Sequence, residues 1–159
     1  GKAAALDPDD ADTRLVQMEF QQHTGDFRAC ARTGRVLVDR HPELVAPRFD
    51  TALCLAMGGQ LDLAREALED ALDHDTEGDE VLGLWRRLES LIDAHDRTPG
   101  VHLLHALIQE RRGNWDRAVR SYERFILFSP SKDWTRKALE RIHRLAPRTG
   151  PDPDVSGAP

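Results

Sequence analysis

The stretch Gly113-Asn114-Trp115-Asp116-Arg117-Ala118, continued by Tyr122, Phe125 and Pro130, decides the fold. A glycine can take a left-handed conformation and stop one helix. The asparagine after it can accept hydrogen bonds from the free N–H groups at the start of the next helix. Ala118 is small and lets a neighbouring helix approach closely. Pro130 ends that helix and sets the following turn.

The same pattern occurs twice upstream, in Gly25-Asp26-Phe27-Arg28-Ala29-Cys30 and in Gly59-Gln60-Leu61-Asp62-Leu63-Ala64. The first two glycines lie 34 residues apart, and the next interval is 54, which is 34 plus 20. Pro42, Thr76 and Pro130 each lie 17 residues after their glycine. Each unit therefore reads as a helical hairpin, and a fixed period of this size marks a repeat architecture.

These residues resemble the tetratricopeptide repeat, a helix–turn–helix unit of about 34 residues. The resemblance covers 11–44, 45–78 and 99–132 and is strongest in the second helices. In the first helices Arg14, Gln17 and Met18, then Arg48, Thr51 and Ala52, then His102, His105 and Ala106 stand where the family has a large aromatic and a Leu-Gly pair. The expected fold is all-α: a right-handed solenoid of about three helical hairpins.

The 20 additional residues carry Val81, Leu84, Trp85, Leu88, Leu91, Ile92 and His95 at helical spacing, so 79–98 reads as one inserted amphipathic helix. A break in regularity is expected near 76–100. A last helix over 131–145 reads as the polar-faced cap that solenoids need. Residues 147–159 hold four prolines and two glycines and read as a disordered tail or linker. Residues 1–10 read as the remnant of a preceding repeat helix, so the solenoid is placed at 11–146 within a longer, bacterial protein.

The chain has 159 residues, a net charge of −6 and 40% hydrophobic residues. That is enough for one domain without disulfides. The longest run without Asp, Glu, Lys or Arg is Thr98–Gln109, too short for a membrane span. Cys30 and Cys54 lie among small or apolar neighbours and read as two buried thiols rather than a disulfide framework. The compartment stays open.

Signs of catalysis are absent. No Ser/His/Asp or Cys/His arrangement stands out, no GxGxxG or GxxxxGK[ST] occurs, and no cofactor is expected. His102 and His105, with His95, Asp93 and Asp96 upstream, could offer N and O ligands to a divalent metal. They lack HExxH spacing and read instead as packed histidines, so no metal site is assigned.

In tetratricopeptide proteins the first helices line a concave groove that holds a peptide or a partner helix. The resemblance puts Leu15, Glu19, Gln22 and His23 there in the first unit. It puts Phe49, Leu53, Ala56 and Met57 there in the second, and Leu103, Leu107, Glu110 and Arg111 in the third. Phe49, Leu53 and Met57 are four apart and form one apolar stripe. The competing occupant of that stripe is the inserted helix with Trp85. The Lys/Asn/Arg clamp of the family's chaperone adaptors is missing, with Leu15, Glu19, Asp50, Gly100 and Leu104 in its place.

Charge is uneven. Residues 111–148 hold 11 Lys+Arg and 4 Asp+Glu, and residues 1–110 carry a net −11. Arg117, Arg120, Arg124, Arg136, Lys137, Arg141 and Arg144 form a candidate basic face for an acidic partner or a solvated surface. Nucleic acid is not expected: the chain is acidic overall, and Trp115, Tyr122 and Phe125 belong to the core. The expected function is a non-catalytic interaction module for another protein. The alternatives are homo-oligomeric assembly through acidic and basic ends, or an accessory domain of an enzyme whose catalytic part lies outside this chain.

Overall fold

The computed structural model describes residues 10–149. They form α1 (Ala11–His23), α2 (Phe27–Arg40), α3 (Ala46–Met57), α4 (Leu61–His74), α5 (Asp79–Ala94), α6 (Pro99–Arg111), α7 (Trp115–Phe128) and α8 (Lys132–Thr149). No strand occurs among the described residues, and the all-helical architecture is consistent with a helical-repeat solenoid. The chain divides into two compact units, with the boundary between Ser90 and Leu91, inside α5.

The repeated glycines explain the hairpins. Gly25, Gly59 and Gly113 have φ of 78°, 81° and 78°. In each turn the residue after the glycine donates its N–H back five positions: Asp26 to Gln21, Gln60 to Leu55, Asn114 to Gln109, all at 2.9 Å. This is the Schellman closure, which satisfies the last carbonyls of one helix while starting the next. Side-chain capping is less regular than the spacing suggests. Asp26 accepts from the Ala29 N–H, but Asn114 donates its amide to Gln109 Oε1 at 2.7 Å. The small residues of the pattern, Cys30, Ala64 and Ala118, are fully buried.

In unit 1, α1 packs on α2, α2 on α3, and α3 on α4. Ten of the twelve α3 residues are buried, so this helix is the centre of the unit rather than one wall of it. Gly34 permits the close approach of α2: a Cβ there would stand 2.1 Å from Thr51 Oγ1. Cys30 and Cys54 form a disulfide between α2 and α3 across a separation of 24 residues. The expectation of two separate thiols is corrected here. The pairing arises because consecutive hairpins bring α2 against α3, which linear spacing does not display.

Unit 1 also includes the first turns of α5. Arg87 pairs with Asp50 of α3. Val81, Leu84 and Leu88 are buried on one stripe of α5. Burial raises the Asp50 pKa, against the opposing pull of Arg87, and nearby Glu19 adds to the rise.

In unit 2, α6 packs on α7 and α7 on α8. Tyr122, Phe125 and Trp134 fill its core, with Phe125 and Trp134 in an edge-to-face contact. The terminal helix runs to Thr149, past the expected end at 145. Pro147 falls in its last turn, where a missing N–H costs little because only one carbonyl loses its partner. Most of the expected tail, and the expected remnant over residues 1–9, lie outside the described residues.

Candidate functional site

The apolar stripe expected to line a groove is interior. Phe49, Leu53 and Ala56 are buried, and Met57, the most open of the four, is 9% exposed. The reason is the packing of α3 between α2 and α4, with Arg87 of α5 reaching the Asp50 side. Leu103 and Leu107 are likewise buried in unit 2. Of the other expected groove residues, Leu15 and Gln22 are half-buried, while Glu19, His23 and Arg111 are exposed. Gln22 donates its amide to Cys54 Sγ. Glu110 is engaged by Arg141 at 2.6 Å and by Arg144 at 3.4 Å.

The basic face is largely compensated from within. Arg120 pairs with Asp116, Arg136 with Asp133 and Glu140, and Lys137 with Asp133. These hydrogen bonds, from Lys137 first and then Arg136, hold the Asp133 carboxyl below its usual range. Lys137 also sits over the Trp134 ring. With Arg141 and Arg144 on Glu110, only Arg117 and Arg124 of the seven are in no ion pair among the described residues.

The two histidines of α6 are tied into the fold. His102 donates from Nε2 to the Asp96 carbonyl and stacks on Phe128. His105 Nδ1 shares a 2.6 Å hydrogen bond with Ser121 Oγ. Burial, with His102 and Arg117 nearby, pushes the His105 pKa down to about 4, so its ring is neutral at pH 7. Burial also lowers His102. Among the described residues no cluster of three or more His, Cys, Asp or Glu is placed to hold a metal ion. No described helix is long and apolar enough to cross a membrane.

Unit 1 does carry an open cleft, and the sequence reading missed it. It has a volume of about 400 Å³ and is walled by α2 and α4 with α3 as its floor. Val38, Thr51, Leu55, Leu63 and Ala67 give it an apolar lining. Arg48 closes one end. Its guanidinium donates to Asp70 of α4 and to the Pro42 carbonyl, while its Nε–H has no partner among the described residues. Asp39 on α2 and Glu66 on α4 line the cleft and are exposed, in no ion pair among the described residues. The signal for this cleft was present in the departure from the repeat pattern. Arg48 and Thr51 stand where the family has larger apolar side chains. Arg48 reaches along the end of the cleft to Asp70 and Thr51 bonds its own helix at Pro47, and neither fills the space above α3.

Residues 101–131 match the model of the tetratricopeptide repeat. This segment is similar to a tetratricopeptide repeat. It spans α6, α7 and the turn into α8, and the all-helical fold of the described residues is consistent with a tetratricopeptide-type repeat protein. No curated protein matches the chain. Tetratricopeptide repeats generally mediate protein–protein interaction and are not themselves catalytic.

Proposed function

We propose that this chain is a non-catalytic protein-interaction module and that the α2–α4 cleft of unit 1 is its partner-binding surface. The observation that carries the reading is the cleft itself: an opening of about 400 Å³ with apolar side chains in its lining, a fixed guanidinium at one end and, on its rim, carboxylates that are in no ion pair among the described residues. Binding sites combine an apolar surface for affinity with a few placed polar groups for orientation. The buried Phe49–Leu53–Met57 stripe does not offer such a surface without displacement of core side chains. Leu63, at 41% exposed, is the accessible apolar anchor of the cleft.

Affinity capture from a host lysate with the wild-type chain and with Leu63→Glu tests the reading. Loss of a captured protein in a variant that keeps its circular dichroism supports the cleft as the binding surface. Unchanged capture by the folded variant moves the interaction elsewhere.

A further inference from the structure

We infer that the occupant of the cleft is a second copy of this chain, which inserts the exposed ridge of α7 carrying Arg124 and Leu127. The inference rests on the cleft being a protein-binding surface and names what it binds.

The cleft has a direction. Arg48 meets Asp70 and the Pro42 carbonyl just past α2, so Asp39 and Asp70 mark one end. Leu55 and Leu63 lie two turns away along α3 and α4 and mark the other. Asp70 is already occupied by Arg48, whereas Asp39 and Glu66 are in no ion pair among the described residues. Arg35 of α2 also lines the cleft, so three carboxylates face two arginines there, and a ligand complementary to that acidic excess carries a cation beside an apolar side chain, about one helical turn apart.

The chain supplies that ligand itself. Leu127 is the most exposed large apolar side chain among the described residues, at 73%. Arg124 lies three positions before it, on the same face of α7, and is in no ion pair among the described residues. Long-range charge favours the same encounter. Residues 1–90 hold 10 Lys+Arg and 19 Asp+Glu, while residues 91–149 hold 12 Lys+Arg and 7 Asp+Glu. An acidic surface on one copy and a basic one on another steer association. The contact joins two different surfaces, so it is heterologous: it closes into a reciprocal pair or a ring where the geometry returns to its start, and grows as an open series where it does not.

Sedimentation velocity over a range of protein concentrations tests this with three samples: wild type, Leu63→Glu and Leu127→Glu. Wild type should give a concentration-dependent series that shrinks as salt is raised, because exposed charges are screened. Each variant alone should associate at least about tenfold more weakly, since each loses one of the two anchors. The decisive sample is the equimolar mixture. Leu127→Glu keeps an intact cleft and Leu63→Glu keeps an intact ridge, so together they should form one-to-one dimers that cannot extend. A wild type that stays monomeric, a variant that associates as wild type does, or a mixture that stays monomeric overturns the inference. If either leucine variant loses its circular dichroism, the exposed pair Glu66→Arg and Arg124→Glu replaces it in the same mixing design. A monomeric wild type whose captured partner is still lost with Leu63→Glu overturns self-docking and leaves the cleft as a site for another protein. Unchanged capture removes both readings.

Discussion

Arg48 on α3 and Asp70 on α4 form an ion pair in which one partner is buried and the other half-exposed. The arginine side chain is 10% exposed and the carboxylate 48%. That asymmetry decides what each substitution does. Removing Asp70 leaves a nearly buried cation with only the Pro42 carbonyl, whereas removing Arg48 leaves a carboxylate that water can reach. Asp70→Ala should therefore destabilise by about 2 kcal/mol, below the cost for a fully buried pair. Arg48→Met/Asp70→Leu should recover most of that loss, because the uncompensated charge is gone. Urea unfolding of the three proteins measures the difference, and a single variant as stable as wild type would show that the pair contributes nothing.

Gly34 and Thr51 set the distance between α2 and α3. A methyl group at 34 would stand 2.1 Å from Thr51 Oγ1 and 2.9 Å from Met18 Cε. Helix propensity alone makes Gly→Ala favourable by up to about 1 kcal/mol. Here overpacking against the tightly held Thr51 should exceed that gain, for a net loss of about 1–2 kcal/mol. Gly34→Ala/Thr51→Ala removes the obstructing hydroxyl and should restore part of the stability. Thermal unfolding of single and double variants reads the coupling directly, and additive effects would contradict it.

Much of this fold is legible in the sequence, and the reasons are local. The glycines at 25, 59 and 113 announce each turn because only a left-handed residue closes it cheaply. The buried stripe of α5 follows from the spacing of Val81, Leu84 and Leu88. What the sequence hides is the choice of neighbour. Phe49, Leu53 and Met57 form a stripe whether they face a partner or a core, and only packing distinguishes the two. The Cys30–Cys54 bond, the compensation of the basic face by Asp133 and Glu110, and the unfilled space above Thr51 are likewise properties of helices brought together from distant positions. Phe49→Ala should cost about 3–5 kcal/mol as a core truncation, and a fully folded Phe49→Ala chain of wild-type stability would place that ring outside the core.

The disulfide joins helices of consecutive hairpins and closes a loop of 24 residues. In the chain-entropy account a crosslink over such a loop contributes about 3 kcal/mol, with native-state effects able to change the figure. Cys30→Ala/Cys54→Ala should therefore unfold at lower temperature than the oxidised wild type. Adding a reductant should lower the wild-type transition toward the variant and leave the variant where it is. Alkylation of the denatured, unreduced wild type followed by mass measurement reports the bond independently. Two alkylated cysteines would mean that the thiols are not paired.

His105 gives unit 2 a stability that depends on pH. Its pKa is about 4 in the folded chain, against an ordinary value near 6.5. Its ring is held by Ser121 and surrounded by His102 and Arg117, and burial penalises the charged form. Below pH 6.5 the unfolded chain takes up a proton that the folded chain does not. Stability therefore rises with pH between about 4 and 6.5 and is flat above that window. Burial lowers His102 too, so the two histidines act in the same direction. Each depressed unit is worth about 1.4 kcal/mol, so the pair changes stability by a few kcal/mol at most across the window, less whatever solvent screening removes. Between pH 5 and 6.5 most carboxylates remain ionised, which isolates the imidazoles. Urea midpoints collected through that interval should fall as pH falls for wild type and fall less for His105→Gln, whose amide can still reach Ser121 but cannot take up a proton. Equal slopes in the two proteins would place the titrating group elsewhere.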